Sequence, residues 1–159
     1  ASVLVCALGT TWKKAGKDEA AFRAVDRDLV VACGKAAKEV GIERMIVVSS
    51  VGSDPATRSF YLRVKSEMEG ELSRLRFRRL DILRPGMLRG PRIDDSRPLE
   101  TVGQVLAPVA DLLMHGKYRQ YRSLRAETVA QAIFAYAKAK PAGHFIHDWD
   151  EIRRASGKA

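Results

Sequence analysis

Apolar residues along the chain alternate between short β-branched runs and longer stretches with helical spacing. The first run, Val3–Leu8, is predicted as a strand, because short continuous apolar runs are typical of strands buried on both faces. Met45–Val48 and Leu80–Leu83 are predicted as two more strands of this kind. Shorter strands are expected at Tyr118–Leu124 and Gly143–Ile146.

Helices are predicted between these strands. A long helix over Glu19–Val40 places six residues on one face and ends at Gly41, a typical C-cap residue. The residues of that face are Phe22, Val25, Leu29, Cys33, Ala36 and Val40. Three more helices are predicted, over Phe60–Leu75, Leu99–Met114 and Glu127–Ala139. Asp148 suits the N-cap of a final helical turn.

The alternation of strands and helices predicts an α/β fold with a parallel sheet. A doubly wound nucleotide-binding sheet normally opens on a glycine-rich turn, but the sequence contains neither GxGxxG nor GxxxxGK[ST]. We therefore expect the C-terminal portion of a larger doubly wound sheet, from its fourth strand onward with flanking helices. Residues 1–159 would form a single domain that lacks its first βαβαβ segment. The unprotected edge of Val3–Leu8 would then favour self-association or a homodimer.

Lys65 lies on the apolar face of the helix predicted at Phe60–Leu75. At 100° per residue, Lys65 falls within a narrow arc around Tyr61 that also holds Val64, Met68, Leu72 and Leu75. Glu69 is expected on the polar side of the helix. A lysine on an apolar face costs desolvation energy unless it is paired or its ammonium reaches solvent. Lys65 therefore either extends to solvent or has a function.

Three predicted strands are followed by segments that suit a ligand site: Gly9-Thr10-Thr11, Ser49-Ser50 and Arg84-Pro85-Gly86. In open α/β sheets the ligand crevice lies at the carboxyl ends of the strands, so the three segments are expected to line one crevice. Tyr61 and Lys65 begin a helix just after the second segment. Hydroxyls, a phenol and an ammonium could therefore converge there.

These residues resemble the short-chain dehydrogenase/reductase family, and most closely its atypical branch. The resemblance rests on Ser50, on Tyr61-x-x-x-Lys65 after a βαβ unit and on the Arg-Pro-Gly segment that follows. It continues through Leu8–Thr11, Ala15-Gly16, Val25–Asp28, Ser96–Pro98 and Ile146–Asp148. A second YxxxK at Tyr136 and Lys140 has no strand-end serine before it and is interpreted as structural.

The resemblance implies a Rossmann-type sheet and NAD(P)H-dependent hydride transfer to or from a small carbonyl or alcohol substrate by a Ser-Tyr-Lys triad. Ser50 would hold the carbonyl oxygen, Tyr61 would be the general acid/base, and Lys65 would stabilise the phenolate and bind the nicotinamide ribose. Strand alternation makes Ser49 the less suitable catalytic serine. The residues expected at the cofactor are Leu8, Gly9, Thr10, Thr11, Ser49, Lys65, Arg84, Pro85, Gly86 and Met87.

Composition and charge refine this hypothesis. The formal net charge of +9 favours NADP(H) over NAD(H), and without aromatic–basic interleaving it does not predict nucleic-acid binding. No membrane span is expected, because the apolar runs are too short. No metal site is expected, because the sequence contains no zinc-type ligand spacing. Cys6 and Cys33 lie in apolar segments, which predicts packed thiols in a reducing compartment and a cytoplasmic protein.

The same residues also fit an alternative, a non-catalytic NADP(H)-sensing or regulatory protein on the same fold. In addition, a chain without the glycine-rich turn is expected to bind a dinucleotide weakly, because that turn holds the pyrophosphate at a helix N-terminus.

Overall fold

A computed structural model describes residues 2–89, Met114 and residues 116–158. Among these residues, a first compact unit comprises those up to Arg84 together with 139–146, and a second unit comprises the rest. The helix predicted at Leu99–Met114 lies outside the described residues, apart from Met114 itself.

The first unit is built on a parallel sheet. Its first three strands are β1 (Leu4–Cys6), β2 (Arg44–Val48) and β3 (Arg79–Leu83), and each neighbouring pair is parallel. Two short strands, β4 (Leu88–Arg89) and β5 (Leu124–Arg125), pair with each other. The last strand is β6 (Gly143–His147), and the larger sheet has the order β1-β2-β3-β6. The predicted α/β fold of the Rossmann type is therefore confirmed.

Helices connect the strands at the predicted places. The first helical stretch consists of α1 (Glu19–Arg23), a π-helical segment (Ala24–Leu29) and α2 (Val30–Glu39). Gly41 follows with a φ of 79°, as expected of a C-cap glycine. Three further α-helices lie in the part of the chain that the structure describes: α3 (Phe60–Arg74), α4 (Ala126–Lys138) and α5 (Trp149–Ser156). Asp148 caps α5 through a capping box with Glu151, and the helix is longer than the single turn predicted.

The core of the first unit lies between α2, α3 and one face of the sheet. Alternate strand residues point into it, including Met45 and Val47 from β2 and Leu80 and Ile82 from β3. The helices contribute Val30, Val31, Ala37, Met68 and Leu72. Cys6 is buried in the same cluster, both cysteines are free, and the prediction of packed thiols is confirmed for Cys6.

Two predictions about elements were wrong. In the first helical stretch the buried face runs through Phe22, Asp26, Val30, Gly34 and Ala37, whereas Leu29 and Val40 are 45% and 75% exposed. The π-helical segment takes an extra residue per turn, so the face after it is shifted by one position. The strand predicted at Tyr118–Leu124 is mostly a 3-10 helix (Gly116–Tyr121), because only Leu124 and Arg125 find a partner strand.

Candidate functional site

The predicted site residues of the first unit lie at the carboxyl ends of β1, β2 and β3 and on the first turns of α3. Ser59 begins α3 as its N-cap, accepting a hydrogen bond from the Leu62 N–H. This start places Tyr61 at the helix entrance and Lys65 one turn deeper.

Lys65 is buried and ion-paired. Its Nζ lies 2.7 Å from Asp26 Oδ1, and the side chains are 5% and 1% exposed. The alternative that its ammonium extends to solvent was therefore wrong. The carboxylate of Asp26, from the π-helical segment, pairs with the charge that the apolar face could not accommodate.

Asp26 also holds the loop after β1. The Thr10 N–H donates to Asp26 Oδ2 at 2.8 Å. A Cβ on Gly9 would lie 3.2 Å from Asp26 Oδ1 and 3.7 Å from Lys65 Nζ, so the loop approaches the ion pair closely only because residue 9 is glycine. The structure thus brings together three predicted site residues, Gly9, Thr10 and Lys65.

Tyr61 is 40% exposed, and Lys65 Nζ lies 5.9 Å from the centre of its ring. The Tyr61 ring also packs against Phe22, whose ring centre is 5.7 Å away in an edge-on arrangement. Phe22 itself is buried and also contacts Trp12 and Phe60. The phenol is therefore held near the ammonium by an aromatic cluster while part of it faces solvent.

The two serines after β2 differ in their environments. Ser49 is buried, and its hydroxyl donates to Glu69 Oε1 at 2.5 Å. Ser50 is half-buried, and its hydroxyl makes one long hydrogen bond of 3.3 Å, to the Val51 carbonyl. Ser49 is thus committed to the protein interior, while Ser50 is available to bind another group.

Glu69 is buried, and the expectation that it would lie on the polar side of α3 was wrong. Arg84 donates to both of its carboxylate oxygens, from Nε at 3.1 Å and from Nη2 at 2.5 Å. A single-helix projection could not show this, because the charge that pairs with Glu69 comes from the end of β3. This two-point contact uses Nε and Nη2 of Arg84, and the predicted contact of Arg84 with a cofactor stays a prediction.

The remaining predicted cofactor residues are Leu8, Thr11, Pro85, Gly86 and Met87. Leu8 is 42% exposed, and the Thr11 hydroxyl accepts a hydrogen bond from the Lys14 N–H. Pro85, Gly86 and Met87 belong to the second unit. There, a Cβ on Gly86 would lie 2.5 Å from a backbone oxygen, so the close packing here requires a glycine, and the predicted cofactor contact of Gly86 stays a prediction.

Sequence reasoning missed Asp26 and Glu69. The signal for Asp26 was its spacing of four from Phe22 and from Val30, which defines an alternative helix face. The signal for Glu69 was its spacing of four from Lys65. In both cases the charge argued against burial, because charged side chains are rarely buried without a partner and the sequence does not show which residue the partner is.

A groove of about 690 Å³ lies elsewhere on the first unit, and none of the predicted site residues lines it. Its lining carries both signs of charge, including Arg27, Lys35, Glu67 and Glu71. Within the described ranges, no group of three or more His, Cys, Asp or Glu residues is arranged to hold a metal ion. None of the helices described there is long and apolar enough to cross a membrane.

Comparison with solved structures defines the class of the fold. RMD from Pseudomonas aeruginosa, complexed with NADPH, superposes with a TM-score of 0.66 at 17% identity, over 98% of this chain and 64% of that one. UDP-N-acetylglucosamine 4-epimerase from Bacillus cereus gives a TM-score of 0.64 at 15% identity, over 97% and 63% of the two chains. The chain thus has the fold of the Rossmann-type epimerases and reductases, and it matches the C-terminal portion of that fold.

Sequence comparison then gives the family. The family model HIM1 matches residues 1–118, and the chain belongs to the HIM1 family. Protein fmp52, mitochondrial, from Emericella nidulans is 39% identical over 106 residues, which is 67% of this chain and 45% of the relative. Protein HTATIP2 from Rattus norvegicus is 43% identical over 95 residues, covering 60% and 38%. The predicted resemblance is therefore confirmed.

Two further points follow from the relatives. The chain spans about half the length of the curated relatives it matches. The prediction of a cytoplasmic protein was wrong, because the fungal relatives, those from Emericella nidulans and Coccidioides immitis among them, are mitochondrial proteins by name. Free cysteines indicate a reducing environment, and that property does not separate these compartments.

Proposed function

We propose that the protein containing this chain is an NAD(P)H-dependent oxidoreductase of the short-chain dehydrogenase/reductase type, acting on a small carbonyl or alcohol substrate. The observation that carries the proposal is the placement of Lys65, fixed by Asp26 at 2.7 Å and lying 5.9 Å from the ring centre of the half-exposed Tyr61. The fold likeness to nicotinamide-dependent enzymes is a separate support.

The described residues fit one end of such a cofactor. An ammonium has three N–H donors, and the Asp26 contact uses one, so Lys65 retains donors for ribose hydroxyls. The exposed Gly9 leaves room for close approach at the loop that Asp26 anchors. When bound, the cofactor would supply or accept the hydride. The preference for NADP(H) over NAD(H) is supported only by the net charge of +9.

The chain's own residues would handle the oxygen of the substrate. The Ser50 hydroxyl, which makes only one long internal hydrogen bond, would donate to the carbonyl oxygen. Tyr61 would deliver the proton that converts this oxygen into a hydroxyl, and Lys65 would stabilise the phenolate left behind. Asp26 would keep the ammonium in place through this cycle.

The ion pair also favours a second candidate function, a cofactor-sensing protein without turnover. A carboxylate 2.7 Å from the ammonium offsets much of the field that would stabilise a phenolate. In such a protein the same residues would bind NADP(H), and Tyr61 would have no proton to transfer.

The test compares Tyr61→Phe with wild type in the native gene product that contains this chain. NADPH oxidation is measured with benzaldehyde, glyceraldehyde and diacetyl as carbonyl probes, and NADPH binding by calorimetry. Loss of a general acid is expected to lower kcat by about 100-fold or more with little change in NADPH affinity. The control is Tyr121→Phe, because Tyr121 is 43% exposed and lies in the second unit.

Equal kcat values for Tyr61→Phe and wild type would contradict the general-acid role. NADPH binding with no reduction of any of the three carbonyl probes would favour the sensing function instead.

A further inference from the structure

We propose that Glu69 is a positioning residue, which holds the loop after β2 so that the Ser50 hydroxyl alone faces a substrate. This inference rests on the proposed oxidoreductase function. It assigns Glu69 and Arg84 a role at the site that the sequence did not indicate: Arg84 acts through Glu69, whereas a contact with the cofactor was predicted.

The buried carboxylate of Glu69 joins three elements. Glu69 itself lies on α3, one turn after Lys65. It accepts the Ser49 hydroxyl from the end of β2 at 2.5 Å, and the guanidinium of Arg84 from the end of β3. The Ser49 N–H also donates to the Leu83 carbonyl at 2.7 Å. The strand ends that carry the predicted site are thus tied to the helix that carries Tyr61 and Lys65.

The contact continues to the backbone of Ser50. Ser49 Oγ lies 3.3 Å from Ser53 Oγ, and the Ser53 hydroxyl donates to the Ser50 carbonyl at 2.7 Å. Ser49 and Ser53 are both buried. The loop from residue 49 to residue 53 is therefore held at Ser49 by the hydrogen bond to Glu69 and at the Ser50 carbonyl by the hydrogen bond from Ser53, while the Ser49 and Ser53 hydroxyl oxygens only contact each other.

Counting hydroxyl protons decides which serine remains available. The two-point contact with Arg84 requires an ionised Glu69, which can only accept hydrogen bonds. The single proton of the Ser49 hydroxyl is then used on Glu69, and that of Ser53 on the Ser50 carbonyl. Ser50 keeps its proton for an outside acceptor, because its own contact to the Val51 carbonyl is long, at 3.3 Å.

A neutral residue at position 69 would release this arrangement. In Glu69→Gln, one carboxylate oxygen becomes an amide N–H donor. In place of Oε2 this donor would face Arg84 Nη2, and in place of Oε1 it would face Arg84 Nε and the Ser49 hydroxyl, so the two-point contact with Arg84 is lost in either orientation. Ser49 and Ser53 would then have alternative hydrogen-bond arrangements, and the Ser50 hydroxyl would lose its fixed direction. Positioning errors of this kind reduce the rate of the chemical step more than they reduce cofactor binding.

The test is a double-mutant cycle between Glu69→Gln and Ser50→Ala in the native gene product. The readouts are kcat and KM for NADPH, with the three carbonyl probes named above. In the wild-type background, Glu69→Gln is expected to lower kcat roughly tenfold with little change in KM. In the Ser50→Ala background it is expected to cost almost nothing further, because the hydroxyl that it positions is already absent.

A merely structural role for Glu69 predicts the opposite. The fold-loss caused by Glu69→Gln would then be the same in both backgrounds, and that result would overturn the inference. Ser53→Ala is the second variant, in case Glu69→Gln fails to fold. It removes the hydrogen bond to the Ser50 carbonyl and the contact with Ser49 Oγ, leaves Glu69 in place, and is expected to show the same dependence on Ser50.

Failure of the proposed function gives a different result. If wild type reduces none of the probes, or if Tyr61→Phe leaves kcat unchanged, the oxidoreductase proposal fails and this inference fails with it. If Tyr61→Phe abolishes turnover while the losses from Glu69→Gln and Ser50→Ala multiply, only the positioning role of Glu69 is refuted.

Discussion

Removing one partner of the buried ion pair between Lys65 and Asp26 is expected to lower the free energy of unfolding strongly, although the intact pair itself stabilises the fold only a little. The charged atoms lie 2.7 Å apart, and the side chains are 5% and 1% exposed. At an effective dielectric constant of about 20, two charges at this distance attract by about 6 kcal/mol. Desolvation of the two ions offsets most of this attraction, but removing one of them leaves the other buried without compensation, at about 3–5 kcal/mol.

Asp26→Asn and Lys65→Met each remove one charge at nearly constant side-chain volume. Each is expected to lower the free energy of unfolding by about 3 kcal/mol or more. The double variant is expected to lose much less than the sum of the two, because it contains no unpaired buried charge. Urea denaturation followed by circular dichroism, with linear extrapolation to water, gives the four free energies.

Asp28→Asn is the matched control for this cycle. Asp28 lies in the same π-helical segment and pairs with Arg27 at 2.7 Å, but its side chain is 56% exposed. Loss of an exposed pair is expected to cost less than about 1 kcal/mol. The reasoning is refuted if Asp26→Asn and Lys65→Met are as mild as this control, or if their effects simply add.

Four further predictions concern single positions in the first unit. Gly9→Ala would place a methyl 3.2 Å from the carboxylate of the buried pair and is expected to lower the free energy of unfolding by about 1–3 kcal/mol. Gly70→Ala, which meets nothing within 4 Å in a helix, should instead raise it by up to about 1 kcal/mol, and the same denaturation assay compares the two. Burial raises the pKa of the Cys6 thiol, so iodoacetamide should label the half-buried Cys33 first in the folded protein; peptide mapping that finds Cys6 labelled first would contradict this. Val5, 44% exposed on the edge strand β1, should drive self-association of the chain. Val5→Lys should therefore lower the average mass in analytical ultracentrifugation, and an unchanged mass would exclude the β1 edge as the self-association surface.

The central strands and most helix boundaries could be predicted because burial leaves a direct trace in the sequence. A strand covered on both faces is mostly apolar, and Met45–Val48 and Leu80–Leu83 lie inside the observed β2 and β3. The buried Asp81 of β3 is paired with Arg79 of the same strand. The helix predicted over Phe60–Leu75 is α3, which extends over Phe60–Arg74. These features depend only on neighbours along the chain, and local patterns are sufficient for them.

The partner of Lys65 could not be predicted in this way. A regular 3.6-residue period assigned the buried face to Val25 and Leu29, and Asp26 was not counted as part of that face. The π-helical segment rotates the helix and brings Asp26 inward, to within reach of Lys65 from another helix. The ion pair joins two helices, so the sequence pattern of one helix alone does not show it.

The role of Arg84 illustrates the same limit. Its position before Pro85 and Gly86 matched a family motif, and the sequence therefore suggested a cofactor contact. The structure pairs its guanidinium with the buried Glu69. Motif spacing located the residue at the correct strand end, but its contact depends on a charge fifteen positions earlier in the chain.

The most direct test of the proposed oxidoreductase follows the hydrogen atom itself. The native gene product is incubated with benzaldehyde and NADPH that carries deuterium at the transferred position, and the alcohol is analysed by mass spectrometry. The account predicts deuterium on the alcohol carbon with wild type and almost none with Tyr61→Phe. Absence of labelled alcohol with wild type that binds NADPH, or equal labelling by Tyr61→Phe, would contradict it.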